Sequence, residues 1–265
     1  MATALAVTIG SRCAASRIPV PSRSVVVTDA AAARRTIATH RETFRAAGLD
    51  DAFSRVLGLV VQPGVEFGNH NVVRYDPAAT RTLVGVTNSE PQFVFEAHST
   101  DYQGPASLSA LVADGFAILK VGPELTFVLR EALYGLDLIA SDMLPDYGER
   151  SLFQTMERLM LDDPGHWRRH YPVGAAESRG LRHYSLSDRI RYYWAKPEAV
   201  EAVERLRTAL DGRKVPAPLF SQHLKGGEKF ADGSVSVDDI LVWRVTQSLS
   251  AYHEACRNPD RKELA

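Results

Sequence analysis

The sequence predicts an α/β fold carried on a parallel sheet and followed by an all-helical tail. Three observations lead there. Short apolar runs at Val56 to Val61, Phe93 to His98 and Phe116 to Val121 alternate with helix-length segments. Unbroken apolar runs bounded by turn signals read as strands buried on both faces, as in parallel sheets. The strand–helix–strand order then demands right-handed crossovers that lay the strands side by side. Beyond about Ser141 the alternation stops, and helical patterns joined by Gly- and Pro-bearing loops take over.

Taken in order, Thr28-Asp29 offers a helix start, Ala30 to Ala47 is rich in helix formers, and Gly48 supplies the stop. The strand Val56 to Val61 is closed by Gln62-Pro63-Gly64. A polar loop follows, with a short helix from Asp76 to about Gly85. Phe93 to His98 is the next strand, Pro105 to Ala113 a helix, and Phe116 to Val121 a third strand ended by Gly122-Pro123. Glu124 to Ala140 is a strong helix, with Leu125, Val128, Leu129, Ala132, Leu133 and Leu136 recurring on one face. The tail carries helical patterns near 149–161, 187–194, 197–210 and 236–256, with Lys214 to Leu219 as an extended connector. Even with a weaker strand at Leu5 to Ile9, the strand–helix rhythm fills only about half of the 265 residues. A closed eight-unit barrel takes roughly 200–250 residues. The chain therefore reads as a piece of a larger α/β fold: an atypical segment over 1–27, a sheet-bearing part over 28–140 and a helical extension over 141–265.

Composition narrows the function. A net charge of -1, from 31 basic and 32 acidic residues, gives no footprint for nucleic acid or an acidic membrane. No apolar run approaches the ~20 residues of a membrane span. Two cysteines, Cys13 and Cys256, cannot form a disulfide framework, so a reducing cytoplasmic setting is expected. Residues 1–28 hold Arg12, Arg17 and Arg23 and no acid before Asp29, as a transit peptide would. Pro19 and Pro21 break the helix such a peptide needs, which favours an atypical domain start. No GxGxxG, GxxxxGK[ST] or GxSxG motif occurs, which argues against dinucleotide enzymes, P-loop kinases and serine hydrolases.

Ligands of parallel α/β folds sit at the C-terminal ends of the strands. Those ends carry Gln62 and Glu66, then Glu96, His98 and Asp101, then Lys120 and Gly122. Glu, His, Asp and Lys on one face suit sugar-phosphate chemistry. Each has a plainer role as well. Glu96 and Lys120 on adjacent strands would form a structural ion pair, whose loss would cost on the order of 3 kcal/mol if buried. His98 is either a metal ligand or a hydrogen-bonding residue. Asp101 can cap the next turn, and Gly122-Pro123 can cap a helix or cradle a phosphate. His166, His170 and His183 follow no metal-ligand spacing. Ser187 is placed to cap a helix bearing Arg189, Arg191, Tyr192 and Tyr193, a face for packing or for docking a partner.

Several ordered blocks carry a resemblance. They are Val60-Val61-Gln62-Pro63-Gly64-Val65-Glu66-Phe67, Phe95-Glu96-Ala97-His98-Ser99-Thr100-Asp101-Tyr102-Gln103, Phe116-Ala117-Ile118-Leu119-Lys120-Val121-Gly122-Pro123 and His183-Tyr184-Ser185-Leu186-Ser187-Asp188-Arg189-Ile190-Arg191-Tyr192-Tyr193-Trp194. Together they resemble the non-catalytic, Z-type subunit of class II D-tagatose-1,6-bisphosphate aldolase, a family also labelled tagatose-6-phosphate kinase. The resemblance implies a (β/α)8 TIM barrel with a helical C-terminal extension. It implies an accessory role in galactitol, N-acetylgalactosamine or tagatose catabolism, stabilising a catalytic class II aldolase partner, with no catalytic residues of its own and no cofactor bound alone. An autonomous kinase or aldolase acting on a phosphorylated ketose, or an inactive fragment, are the alternatives. The first half of the family's barrel is missing, so the three clear strands resemble strands six to eight and the chain looks N-terminally truncated. Ile9-Gly10 and Ile18 to Pro21 look like remnants of strand five, with Ser11-Arg12 and Ser22-Arg23 where the family has Thr-Glu and Gly-Gly. By position His98 resembles one zinc-binding histidine of related aldolases. One imidazole falls short of the three or so ligands a catalytic zinc needs, so zinc is expected only in a complete assembly. A half barrel also leaves strand edges open, which predicts homo-oligomers, a partner or aggregation.

Overall fold

The computed structural model describes residues 7–9, 25–171 and 174–257, so Cys13 and the blocks at 10–12 and 18–23 lie outside the described residues. The chain divides into two compact units, Met1–Gly122 with Ser250–Ala265, and Pro123–Leu249.

The first unit runs β1 (Val7–Ile9), α1 (Ala30–Ala46), α2 (Asp50–Phe53), β2 (Val56–Val61), β3 (Glu66–Phe67), β4 (Val72–Val73), α3 (Pro77–Val84), β5 (Val94–Ala97), α4 (Pro105–Ala113) and β6 (Ile118–Leu119). Its start is the one the sequence indicates. Asp29 accepts the Ala32 amide at 3.0 Å, satisfying a donor that the first helical turn leaves unpaired. Gly48 at φ +67° ends the segment in the left-handed region that glycine adopts without cost.

Strands β1, β2, β5 and β6 form one parallel sheet in that order. Leu59 lies beside Phe95, and Val61 beside Ala97 and Leu119; Val60 lies beside Glu96 and Ile118. Side chains alternate between the faces of a strand. Leu59, Val61, Phe95 and Ala97 therefore share one face, where they pack with Ile37 of α1, Leu83 of α3, Leu111 of α4, Phe93 and Phe116. The opposite face carries Gly58, Val60, Val94, Glu96 and Ile118. Val94 and Ile118 there are 38% and 37% exposed. The continuous apolar runs pointed to burial on both faces, but among the described residues helices cover only one. Among the described residues β1 and β6 are the outer strands, which form a parallel α/β sheet and not a closed barrel. The ribbon β3–β4 escaped sequence reading because two-residue strands carry no periodicity.

The second unit holds only helices and 3₁₀ turns among its described residues: α5 (Pro123–Met143), α6 (Ser151–Asp162), α7 (Ala175–Tyr184), α8 (Pro197–Leu210), α9 (Ala217–His223) and α10 (Val237–Arg257), which ends within the first unit. Two expectations fail here. Lys214 to Leu219 is not all extended, because α9 begins at Ala217, with Pro216 and Pro218 where a first turn needs no amide donor. The 187–194 stretch is a 3₁₀ turn, Arg189–Tyr193, entered through Asp188 at φ +46°. Ser187 does not cap it but bonds with Ser185 and Tyr171. Gly135 permits α9 to approach α5: a Cβ there would lie 2.6 Å from the His223 carbonyl oxygen.

Helix α5 is buried on most of its circumference, and two of its charged residues are enclosed. Arg130 Nε donates to Asp188 Oδ1 at 3.2 Å, with the guanidinium 4.2 Å from the Phe127 ring centre, and Thr126 donates to Asp188 Oδ2 at 2.6 Å. Asp137 accepts the Tyr147 hydroxyl at 2.7 Å and the Leu152 and Phe153 amides at 3.0 and 3.1 Å.

A third enclosed network joins α6 to α7. His183 lies 3.0 Å from Glu157 through Nε2 and 2.7 Å from the Tyr134 hydroxyl through Nδ1, and stacks on Phe153 at 3.8 Å. A carboxylate only accepts, so Nε2 carries the proton and Nδ1 accepts from the phenol. Burial outweighs the pull of Glu157 and lowers the His183 pKa to about 4. The neutral ring is thus the folded form. An unfolded histidine near pKa 6.5 takes up its proton first as pH falls, so this contribution is intact above about pH 6.5 and lost toward pH 4. Between pH 7 and 5 we expect a loss of about 2 kcal/mol. Urea unfolding at the two pH values, repeated with His183→Gln, checks this: the variant should show a clearly smaller difference.

Candidate functional site

The alternation that hides Leu59 and Phe95 presents the strand-end residues on the other face. Gln62, His98 and Lys120 follow Val60, Glu96 and Ile118 by two positions and share their parity. The backbone continues the register, since His98 N donates to Val61 O at 3.1 Å and Lys120 N to Ala97 O at 3.0 Å. Gln62, His98 and Lys120 thus form a row across the C-terminal edge of the sheet, with Glu96 one layer beneath.

The loop after β5 completes the site. Ser99 and Tyr102 both have positive φ, at +62° and +61°, a costly backbone for non-glycine residues. Buried Thr100 pins the loop by donating through N and Oγ1 to the Lys120 carbonyl at 3.2 and 2.9 Å. The Tyr252 hydroxyl donates to Thr100 O at 2.9 Å. Gln103, also buried, accepts the Tyr75 amide and donates to Val73 O, and Arg74 donates to the carbonyls of Tyr102 and Gln103.

The residues singled out from sequence separate into two groups. Gln62 is a turn former: its Oε1 accepts the Gly64 and Val65 amides at 2.9 and 3.0 Å. Asp101 is buried and accepts the Gly122 amide at 2.8 Å, so that amide is not free to cradle a phosphate. Glu96 and Lys120 do not form the expected ion pair; Glu96 is half-buried and Lys120 is exposed. Solvent screens their attraction, and holding the long lysine in place would cost side-chain entropy. We therefore expect Glu96→Ala to change unfolding free energy by less than about 0.5 kcal/mol, read as an unchanged urea midpoint.

Glu66 and His98 remain as chemically distinctive groups. Burial chiefly pushes the Glu66 carboxyl above its ordinary pKa and the Asp101 charge adds to this, while the Phe67 amide and the Ser99 side chain oppose it. Burial and then the Lys120 charge push His98 below its ordinary value, with Glu96 partly opposing. A carboxyl raised and an imidazole lowered bring an acid and a base toward the same pH range. As for zinc, no three His, Cys, Asp or Glu side chains gather to hold an ion among the described residues. His98 is a single imidazole beside a lysine, a donor set that does not fit the metal. The turn at Gln62-Pro63-Gly64 was legible, but the positive-φ loop and the Asp101–Gly122 bond were missed in the sequence, because contacts between distant residues leave no periodic signal.

No helix among the described residues is long and apolar enough to cross a membrane. A D-tagatose 6-phosphate 4-epimerase from Agrobacterium fabrum is 52% identical over 246 residues, covering 91% of this chain and 58% of the relative. A crystal structure described as a probable tagatose 6 phosphate kinase, from Sinorhizobium meliloti, superposes with a TM-score of 0.86 at 45% identity, covering 95% of this chain and 62% of that one. The chain thus spans about 58–62% of the length of these relatives. The model of D-tagatose-1,6-bisphosphate aldolase subunits of the GatZ/KbaZ-like type matches residues 16–257, and the chain belongs to that family.

Proposed function

We propose that the chain forms part of a cytoplasmic enzyme acting on a phosphorylated tagatose and supplies the strand-end face that meets the sugar. The row of His98 and Lys120 at the edge of the four-stranded sheet, with Glu66 near Ser99 and Asp101 of the loop that follows His98, carries this reading. Inverting the C4 carbinol of a ketose balances when its hydroxyl loses a proton, the C3–C4 bond breaks to an aldehyde and an enediol, and the same bond re-forms on the other face of the aldehyde, which asks for a group that removes a proton and one that returns it. Glu66, held toward its protonated form, and His98, held neutral, suit those roles, and Lys120 suits a phosphate or hydroxyl oxygen. On this reading the open sheet is a portion of a (β/α)8 barrel. The 52% identity to a protein named for epimerising tagatose 6-phosphate favours an epimerase-type role.

The family description supports a second role: an accessory subunit that stabilises a catalytic class II aldolase partner without cleaving the bisphosphate itself. One experiment separates the two. The chain is assayed alone, with the separately expressed remainder of a full-length relative, and with a class II aldolase, on tagatose 6-phosphate and tagatose 1,6-bisphosphate. Epimer formation with the remainder, lost in Glu66→Gln and His98→Gln, supports the first role. Longer-lived aldol cleavage with the aldolase, unaffected by those variants, supports the second. No activity and no binding in any combination would remove both.

A further inference from the structure

The helical unit carries a cluster of cations without carboxylates. His170, at the end of the 3₁₀ turn Arg168–His170, lies between two guanidinium groups. Arg169 Nε is 3.2 Å from His170 Nε2, and Arg189 Nη2 is 3.2 Å from His170 Nδ1. Guanidinium groups only donate, and a neutral imidazole has one N–H and one lone pair. Only one of the two contacts can therefore be a hydrogen bond; the other sets donor against donor. Arg189 Nε adds a further donor, enclosed and without a partner. Among the described residues neither Arg169, Arg189 nor Arg191 forms an ion pair, and Asp188, next in sequence, is occupied by Arg130 and Thr126. Arg191 spends its donors on the carbonyls of Ser187 and Asp188 and on the Tyr192 hydroxyl.

The geometry points to a missing acceptor: we propose that Arg169, His170 and Arg189 form an oxyanion site for the phosphate group of a phosphate monoester. One phosphate oxygen can take the imidazole N–H, and others can take the forked donors of the two arginines. A phosphate offers three terminal oxygens to these three groups, where a carboxylate offers two, and an oxygen that draws one guanidinium off the ring can take the imidazole N–H it leaves. Arg189 is held in place by its backbone, whose amide lies 3.4 Å from the Tyr171 hydroxyl. Beside it Tyr192 stacks on His166 with ring centres 5.0 Å apart, an aromatic shelf for the remainder of the ester. The pKa of His170 agrees with this picture: burial, Arg189 and Arg169 lower it, with no carboxylate opposing. The site stands independently of the reading proposed for the sheet unit.

The test is an NMR titration of the His170 ring in the full chain with inorganic phosphate, at constant ionic strength and pH 7. His170→Gln assigns the signal. We expect a saturable shift toward the imidazolium position, with half-saturation on the order of millimolar. Arg189→Gln and the exposed-site variant Arg169→Gln should each weaken binding about tenfold. Acetate at matched ionic strength should give no saturation. A wild-type response that is absent, linear, or equal for acetate would overturn the proposal, as would unchanged phosphate affinity in a folded Arg169→Gln.

Discussion

Replacing Arg130 with alanine should lower unfolding free energy by about 3–5 kcal/mol, a loss large enough to compromise the helical unit. The size follows from what remains behind. Arg130 and Asp188 are 1% and 2% exposed, so removing the guanidinium leaves an enclosed carboxylate with the Thr126 hydroxyl and its own low-dielectric surroundings. Burial already pushes the Asp188 carboxyl above its ordinary pKa, against the opposing Thr126 and Arg130. Removing the arginine takes away one of the influences that keep it ionised. The loss also removes the stacking on Phe127. The pair as a whole contributes much less than either single deletion suggests, because desolvating two charges offsets most of their attraction. Arg130→Met with Asp188→Asn, a residue that tolerates the left-handed backbone at position 188, should therefore be far closer to wild type than Arg130→Ala. Urea unfolding followed by circular dichroism measures all three, and a double variant as unstable as the single one would contradict this account.

Asp137→Ala should cost about 3 kcal/mol. Helix α6 begins at Ser151 without a capping side chain of its own, since Arg150 precedes it in a left-handed conformation at φ +44°. The amides of its first turn would be left without partners. Asp137, reaching across from α5, accepts two of them, and its negative charge also meets the positive end of the helix dipole. Alanine would strand both amides and the enclosed Tyr147 hydroxyl together. Asp137→Asn keeps one acceptor oxygen and should recover about half of the loss. Hydrogen exchange reads this locally: the amides of Leu152 and Phe153 should exchange faster in Asp137→Ala, before the unit unfolds as a whole.

Both residues mark the limit of what the sequence discloses. The helix from Glu124 to Ala140 is legible because Leu125, Val128, Leu129, Ala132, Leu133 and Leu136 recur at helical spacing. Nothing in that spacing singles out Arg130 or Asp137, since their partners lie 58 and up to 16 residues away in sequence. Periodicity shows which residues could face inward, but not which charges find a partner there. In the sheet, the apolar runs and the turns that end them sufficed to put Gln62, His98 and Lys120 at the strand ends. They could not show that Gln62 and Asp101 are occupied in holding backbone, or that Glu96 and Lys120 stay apart. The ribbon β3–β4 and the 3₁₀ turn at Arg189–Tyr193 were lost for a related reason: short elements are fixed by tertiary contacts rather than by local pattern.

The two left-handed residues after β5 make the loop a point of conflict between sturdiness and use. Glycine at Ser99 or Tyr102 would adopt the same backbone without the penalty of about 1–2 kcal/mol that a side chain incurs there. An engineer seeking a hardier protein would start with those two exchanges. Yet Ser99 bonds the Glu66 side chain, and Tyr102 sets its ring edge-on to Phe67 at 5.2 Å. Glycine would delete both contacts while relaxing the chain beneath them. The loop has given up rigidity to project side chains that a relaxed backbone would not hold, so a gain in thermal tolerance at these positions would come with a blunter site.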